Sequence, residues 1–256
     1  MGPLVDSHCH LDYAPDPEAV LARGRAEGIV WFVSIGSGKG TESARSAIAL
    51  ARANPDVRAT VGVHPHDAKL ATPEALDDLR TLCRERCVVA VGEVGLDYHY
   101  NHSEPAVQRE VFRRFVGLAR EVRLPLVIHT RSAPEDTLAI LREEGARDVG
   151  GVIHCFSEDL GFARGALDLD FDVSFSGIVT FKKADALRAV ARLVPPERLL
   201  IETDAPYLAP LPFRGKVNEP AYLTHTARSL AETLGVPVEV LRARTSANAI
   251  RRFGLG

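Results

Sequence analysis

The 256 residues are 46% hydrophobic and 25% charged, the composition of an ordinary globular chain long enough to bury a full core without staples. A net charge of −3 gives no overall attraction for a polyanion, so such a partner has to be held by local positive charge or by metal ions. There is no run of 18 apolar residues to span a membrane and no basic-then-apolar start to act as a signal peptide, and the four cysteines include no CxxC pair. These features predict a cytoplasmic protein that is a monomer or a weak homo-oligomer.

In chain order, β-branched apolar runs alternate with helical patterns. "LVDSHCH" (4–10) precedes "PDPEAVLARGRAEG" (15–28), "IVWFVSIG" (29–36) precedes "GTESARSAIALARANP" (40–55), and "VRATVGVH" (57–64) precedes "TPEALDDLRTLCRER" (72–86). "VVAVGEVG" (88–95) is followed by "SEPAVQREVFRRFVGLAREVR" (103–123), and "LPLVIHT" (124–130) by "SAPEDTLAILREEG" (132–145). "GGVIHCFS" (150–157) leads to "DLGFARGALDL" (159–169), and "DFDVSFSG" (170–177) to "KADALRAVARLVPP" (183–196). "RLLIETDAP" (198–206) leads to two closing helices near 219–234 and 237–252. Nearly continuous apolar strands imply a parallel sheet buried on both faces. The alternation predicts a single-domain (β/α)8 TIM barrel over residues 1–256. A doubly wound open sheet competes, but no GxGxxG follows the first strand. Cys83 and Cys87, four apart, are read as small core residues sharing one helix face. The irregular stretch 206–220 reads as a functional loop.

Histidines and acids concentrate at strand ends. His8 and His10 end the first predicted strand, His64 the third, His129 the fifth and Asp204 the eighth, with Glu93 and His154 late in the fourth and sixth. In a barrel these ends converge on the catalytic face. Burying so many polar groups without a metal or a network costs on the order of several kcal/mol. Six candidate ligands (His8, His10, Glu93, His129, His154 and Asp204) exceed the three-plus-water set of a single catalytic zinc, and fit two divalent ions with Glu93 as the bridging carboxylate. Imidazole-rich ligation favours Zn, Mn, Fe, Co or Ni over a pure Mg site, and the expected ions are Mg, Mn or Zn. His66, His99, His102 and His225 carry no assigned role; His66 reads as an exposed or loop-capping residue and His225 as a helix-face residue. Asp6 reads as a residue that orients backbone or a ligand histidine.

The stretches "DSHCHLD", "VGVHPHD", "VGEVGLDYH", "PLVIHTR", "GVIHCFS", "SFSGIVTFKK", "LLIETDAPYLAP" and "RGKVNEP" span the chain in order and resemble the TatD family of metal-dependent deoxyribonucleases, within the amidohydrolase superfamily. The resemblance implies a TIM barrel with a two-metal centre that hydrolyses phosphodiesters, typically DNA from its 3′ end. By position it implies that His8, His10, Glu93 and Asp204 bind one metal and that Glu93, His129 and His154 bind the other, with His64 contacting substrate or the site. Glu93, Asp204 and His64 are then the candidate catalytic residues. The chemistry agrees, since two metals activate water and clamp a phosphodiester's oxygens while Asp204 accepts the water's proton. Arg131, Lys182 and Arg214 are candidates for phosphate, and Tyr98, Phe181, Tyr207 and Phe213 for stacking on bases of single-stranded DNA ends.

Two other classes of function stand beside this one. A related hydrolase of C–N or ester bonds (dihydroorotase, dipeptidase or D-aminoacyl-tRNA deacylase) shares the scaffold, because fold does not choose substrate. A metal-held binding protein without catalysis needs no open coordination position and no ring of basic loops.

Overall fold

The computed structural model describes residues 2–256. One sheet holds eight strands in chain order: β1 (Leu4–Cys9), β2 (Ile29–Ser34), β3 (Val57–Val61), β4 (Val88–Asp97), β5 (Leu126–Arg131), β6 (Gly151–Ile153), β7 (Phe171–Phe175) and β8 (Leu199–Ile201). Beyond β8, Ala205 bridges in parallel to Cys9, so the continuation of the last strand meets the first. The strands thus form a nearly closed (β/α)8 barrel, and the open doubly wound alternative is ruled out by this order. Nine helices are described: α1 (Pro17–Ala26), α2 (Glu42–Ala53), α3 (Pro73–Leu82), α4 (Pro105–Val122), α5 (Pro134–Glu143), α6 (Leu160–Asp168), α7 (Asp185–Ala191), α8 (Leu223–Leu234) and α9 (Val238–Phe253). None of the described helices is long and apolar enough to cross a membrane.

The chain divides into two compact units, residues 2–34, 154–163 and 173–256 in the first, and 35–153 and 164–172 in the second. In the first, β1 pairs β2 in parallel from Leu4↔Ile29 to Cys9↔Ser34, and β7 pairs β8 from Val173↔Leu199 to Phe175↔Ile201. Helix α9 lies against β1 and β8, and Phe156 packs at 5.8 Å from Phe175 and 6.2 Å from Phe162. In the second, β3, β4, β5 and β6 pair in parallel, and α4 covers β4. The buried face of α4 is Val111, Phe112, Phe115, Val116, Leu118 and Ala119, close to the three- and four-residue spacing of an amphipathic helix. Several helices start as their sequences predict. Asp16 caps α1 by accepting from Ala19 N at 3.0 Å, Thr72 caps α3 by accepting from Ala75 N at 3.2 Å, and both helices carry proline in the first turn.

Two expectations need correction. Helix α3 stops at Leu82, so Cys83 is its buried C-cap, while Cys87 lies half-buried in the turn before β4. The turn is closed by Arg84 N to Thr81 O and Val88 N to Glu85 O, which redirects the chain and removes the shared face. The apolar runs at 57–64, 150–157 and 198–206 also overshoot. The ladders end at Val61, Ile153 and Ile201, leaving His64, His154 and Asp204 on the segments that follow.

Strand β4 is narrowed by glycine where it passes β5. Gly92 (φ +155°) and Gly95 (φ +141°) hold conformations that side chains rarely adopt, and a Cβ on Gly95 would fall 2.0 Å from the carbonyl oxygen of His129. Gly95→Ala must therefore push β4 away from β5. It is expected to destabilise the fold by about 3 kcal/mol or more, lowering Tm by roughly 6–12 °C for a chain of this size. An unchanged melting curve would contradict the close approach.

Candidate metal centre

In the first unit, the alternation of β1 turns His8 toward the side that His10 also faces, and the two rings lie 5.1 Å apart at 73°. His8 is fully buried and His10 stands one residue beyond the strand. Asp204 sits three residues beyond β8 with φ 58°, a left-handed conformation that aspartate tolerates better than most side chains. Two backbone bonds hold these residues together, Asp204 N to His8 O at 2.9 Å and His10 N to Ala205 O at 2.8 Å. As a result Asp204 Oδ1 lies 3.4 Å from His10 Nε2 and 3.7 Å from His8 Nε2. Donors about 2.0–2.1 Å from a tetrahedral ion are separated by about 3.4 Å, so this trio fits a divalent cation.

A second group in this unit unites His8, His154 and Glu202. The His154 ring stacks on His8 at 3.9 Å and 10°. Glu202 Oε1 accepts from Cys155 N at 2.6 Å and lies 3.2 Å from His154 Nδ1. The other oxygen, Glu202 Oε2, is buried and meets no hydrogen-bond donor among the described residues. A buried carboxylate oxygen without a partner is costly, and a cation is the partner that this donor set accommodates.

Beneath the trio, Asp6 is buried and works as expected for an orienting residue. Its Oδ1 accepts from Thr203 N (2.9 Å) and His8 N (3.4 Å), and its Oδ2 accepts from the Thr203 hydroxyl (2.5 Å). Burial pushes its pKa up to about 7 despite these hydrogen bonds. Asn218 donates to Thr203 O at 2.8 Å and Tyr207 O at 2.6 Å, tying the 206–220 loop to the same point. Cys9 is buried, its thiol donates to Val33 O at 3.5 Å, and burial raises its pKa well above the usual range.

In the second unit, Glu93 of β4, His129 of β5 and His64, three residues past β3, form one group. Glu93 Oε1 lies 3.0 Å from His129 Nδ1 and 3.6 Å from His64 Nε2, and Ser37 donates to Glu93 Oε2 at 3.4 Å. The opposite ring nitrogen of His129 lies 3.2 Å from Asp97 Oδ2, and His66 Nε2 lies 2.9 Å from the same oxygen. Burial works to raise the Asp97 carboxyl, but hydrogen bonds from His129, Tyr100 N and His66 outweigh it and hold Asp97 below the usual carboxylate range. Gln108 of α4 pins this strand end, accepting from Asp97 N at 2.8 Å and donating to Asp97 O at 3.0 Å.

His66 is thus not an exposed loop residue, because its ring is drawn onto Asp97. Asp97 and Glu202 are site residues that the sequence reading passed over. Both stand two or four positions from a chosen acid on the same strand or its continuation (Glu93 and Asp97, Glu202 and Asp204), and period-two spacing is the signal that points to them. His225 lies on α8 as expected, half-buried, with its ring 5.2 Å from Phe213. The predicted phosphate residues stand outside these groups. Arg131 and Arg214 are exposed, their guanidinium carbons 4.7 Å over Tyr100 and 4.4 Å over Phe181, and Lys182 is exposed. Of the aromatic candidates, Tyr98 donates to Asp136 at 2.6 Å and Phe213 lies face to face on Tyr222 at 4.0 Å.

Residues 5–254 match the family model described as "TatD related DNase". The chain is 42% identical to the "Uncharacterized metal-dependent hydrolase YabD" of Bacillus subtilis, over 98% of each chain. It is 35% identical to the "3'-5' ssDNA/RNA exonuclease TatD" of Klebsiella pneumoniae, over 95% of this chain and 94% of that one. Among solved structures it is similar to YJJV, a TatD homologue from Escherichia coli K12, with a TM-score of 0.93 and 27% identity over 99% of this chain and 98% of that one.

Glu202 positions His154, so removing its charge should loosen metal binding without unfolding the chain. Glu202→Gln is expected to weaken Zn²⁺ affinity about 10- to 100-fold in competition with a chromogenic chelator, with an unchanged circular dichroism spectrum. Wild-type affinity in this variant would remove Glu202 from the site.

Proposed function

The chain belongs to the TatD-related DNase family of metal-dependent hydrolases, and from that premise we propose that its 256 residues act as one domain that removes nucleotides from the 3′ ends of single-stranded DNA. The observation that carries this reading is the pair of imidazole–carboxylate groups, His8–His10–Asp204 and His64–Glu93–His129, whose donor atoms in each group lie within 4.8 Å of one another. Every one of these residues stands in the C-terminal part of a parallel strand or just past its end, the end at which barrel enzymes carry their chemistry. The exonuclease name of the Klebsiella relative supports the choice of substrate.

In this proposal each unit holds one divalent ion, Mg, Mn or Zn. His8, His10 and Asp204 hold one, with His154 offering a further imidazole. Glu93 and His129 hold the other, with His64 beside them. Ions bound there supply Lewis acidity, lowering the pKa of water and neutralising phosphoryl charge. Asp204, whose second oxygen is not needed for ligation, accepts the proton of the attacking water. Glu93 keeps its carboxylate aimed by His129 and Ser37, and His64 donates to the substrate from the rim of the same group. Arg131, Lys182 and Arg214 meet the phosphates that follow along the strand, where the forked guanidinium matches a pair of phosphate oxygens.

Asp204→Asn keeps the size and one oxygen but removes the charge and the basicity. The expected result on a short single-stranded DNA at saturating Mn²⁺ is a folded protein whose kcat falls at least roughly 100-fold. A folded variant with near-wild-type kcat would take the proton-accepting role from Asp204. RNA, an amide and a circular single-stranded DNA run alongside the linear substrate test the reading itself. It requires linear DNA to be cut and the circle to be spared, and cleavage of the amide alone would overturn it.

A further inference from the structure

Two exposed aromatic rings flank the metal-binding trio of the first unit. Tyr13 ends a short 3-10 turn (Leu11–Tyr13) that begins directly after His10, held by Tyr13 N to His10 O at 3.2 Å. Tyr207 follows Asp204 by three residues, and its N–H donates to Asp204 O at 2.8 Å. Tyr13 lies parallel to the His10 ring, 5.4 Å away at 9°. Tyr207 stands across both, at 75° and 5.9 Å from His10 and at 79° and 6.4 Å from Tyr13. The three rings make a corner with two perpendicular walls. The tyrosines are 37% and 52% exposed, so aromatic surface stays open to solvent immediately beside His10 and Asp204.

We propose that this corner is a nucleobase subsite, in which the base of the 3′-terminal nucleotide stacks on one tyrosine and packs edge-on against the other. The proposal rests on the nuclease reading and assigns what that reading leaves open, the part of the substrate that is recognised other than phosphate. A planar ring joined through one sugar to a phosphate at the Asp204 trio reaches no farther than the corner. Elsewhere in this unit Phe213 lies face to face on Tyr222, and Phe181 carries the guanidinium of Arg214. Every base has a π face, so the subsite tolerates any sequence. A base in a duplex must first leave its stack and its partner to enter, so the corner selects single-stranded ends.

Removing a base–aromatic stack weakens binding by about 5- to 150-fold. The test is the Kd of the metal-replete chain for a 5′-fluorescein octathymidylate with a phosphorothioate at its last linkage, read by fluorescence anisotropy, against the same probe with an abasic 3′-terminal residue. Wild type is expected to bind the base-bearing probe more tightly by that factor. Tyr13→Ala and Tyr207→Ala should each lose most of the difference, while Tyr13→Phe and Tyr207→Phe keep it. Equal Kd values for the two probes in wild type, or alanine variants that discriminate as wild type does, would overturn the subsite. Cleavage of the unmodified oligonucleotide is followed in parallel. Base discrimination without cleavage supports the subsite and sinks the nuclease reading, whereas cleavage without discrimination sinks the subsite alone.

Discussion

The buried carboxylate of Asp6 decides how the first strand meets the continuation of the last. It accepts both the backbone N–H and the hydroxyl of Thr203, and it reaches the N–H of His8 as well. Hydrogen bonds to a charged group contribute about 1.5–3 kcal/mol each, whereas a buried carboxylate left without donors costs several. Thr203 therefore has one place to be, and Asp204 follows it into a left-handed turn whose backbone grips His8. Asn218 fastens the long loop to the same threonine, so the position of Tyr207 is set by the lock that sets Asp204.

The second unit reaches a comparable rigidity by a different route. Its acids are carried on β4, a strand in which glycines alternate with the functional side chains. Gly92 and Gly95 let the backbone press against β5, and that closeness brings Glu93 and Asp97 onto the two nitrogens of His129. Asp97 on one nitrogen orients the His129 ring and leaves the other nitrogen beside Glu93, the arrangement in which an imidazole and a carboxylate can share a cation without reorganisation. Gln108 closes the end of the strand with a pair of hydrogen bonds to Asp97, so a polar contact ties α4 to β4 beside its apolar face.

Much of this was legible in the sequence, because the strands of a parallel barrel are buried on both faces and read as unbroken apolar runs. All eight were recognisable, and seven of the eight side chains in the groups that could hold a metal ion stand out in the sequence as histidines and acids at or near predicted strand ends. The reading weakened where the ladder stops. Cys155 and Phe156 follow Ile153, and Thr203 and Ala205 follow Ile201, with no mark of the last hydrogen bond, so His154 and Asp204 read as strand residues. Glu202 and Asp97 were hidden by better-known neighbours in "IETDAP" and "GLDYH", although their spacing placed them on the functional side. The partner of His66, Asp97, lies 31 positions away in the chain, and no local pattern reports such a contact. The tight turn after His10 brings the Tyr13 ring parallel to the imidazole, and sequence spacing alone does not report it.

The claim on which the account turns is that both groups are cation sites. Its most direct test is anomalous scattering from crystals of the metal-replete protein, recorded on both sides of the absorption edge of Mn or Zn. The account predicts one peak within about 2.6 Å of donor atoms of His8, His10 and Asp204, and another within that distance of Glu93 and His129. An anomalous map without a peak at either group, from protein that hydrolyses its substrate in the same buffer, would contradict it.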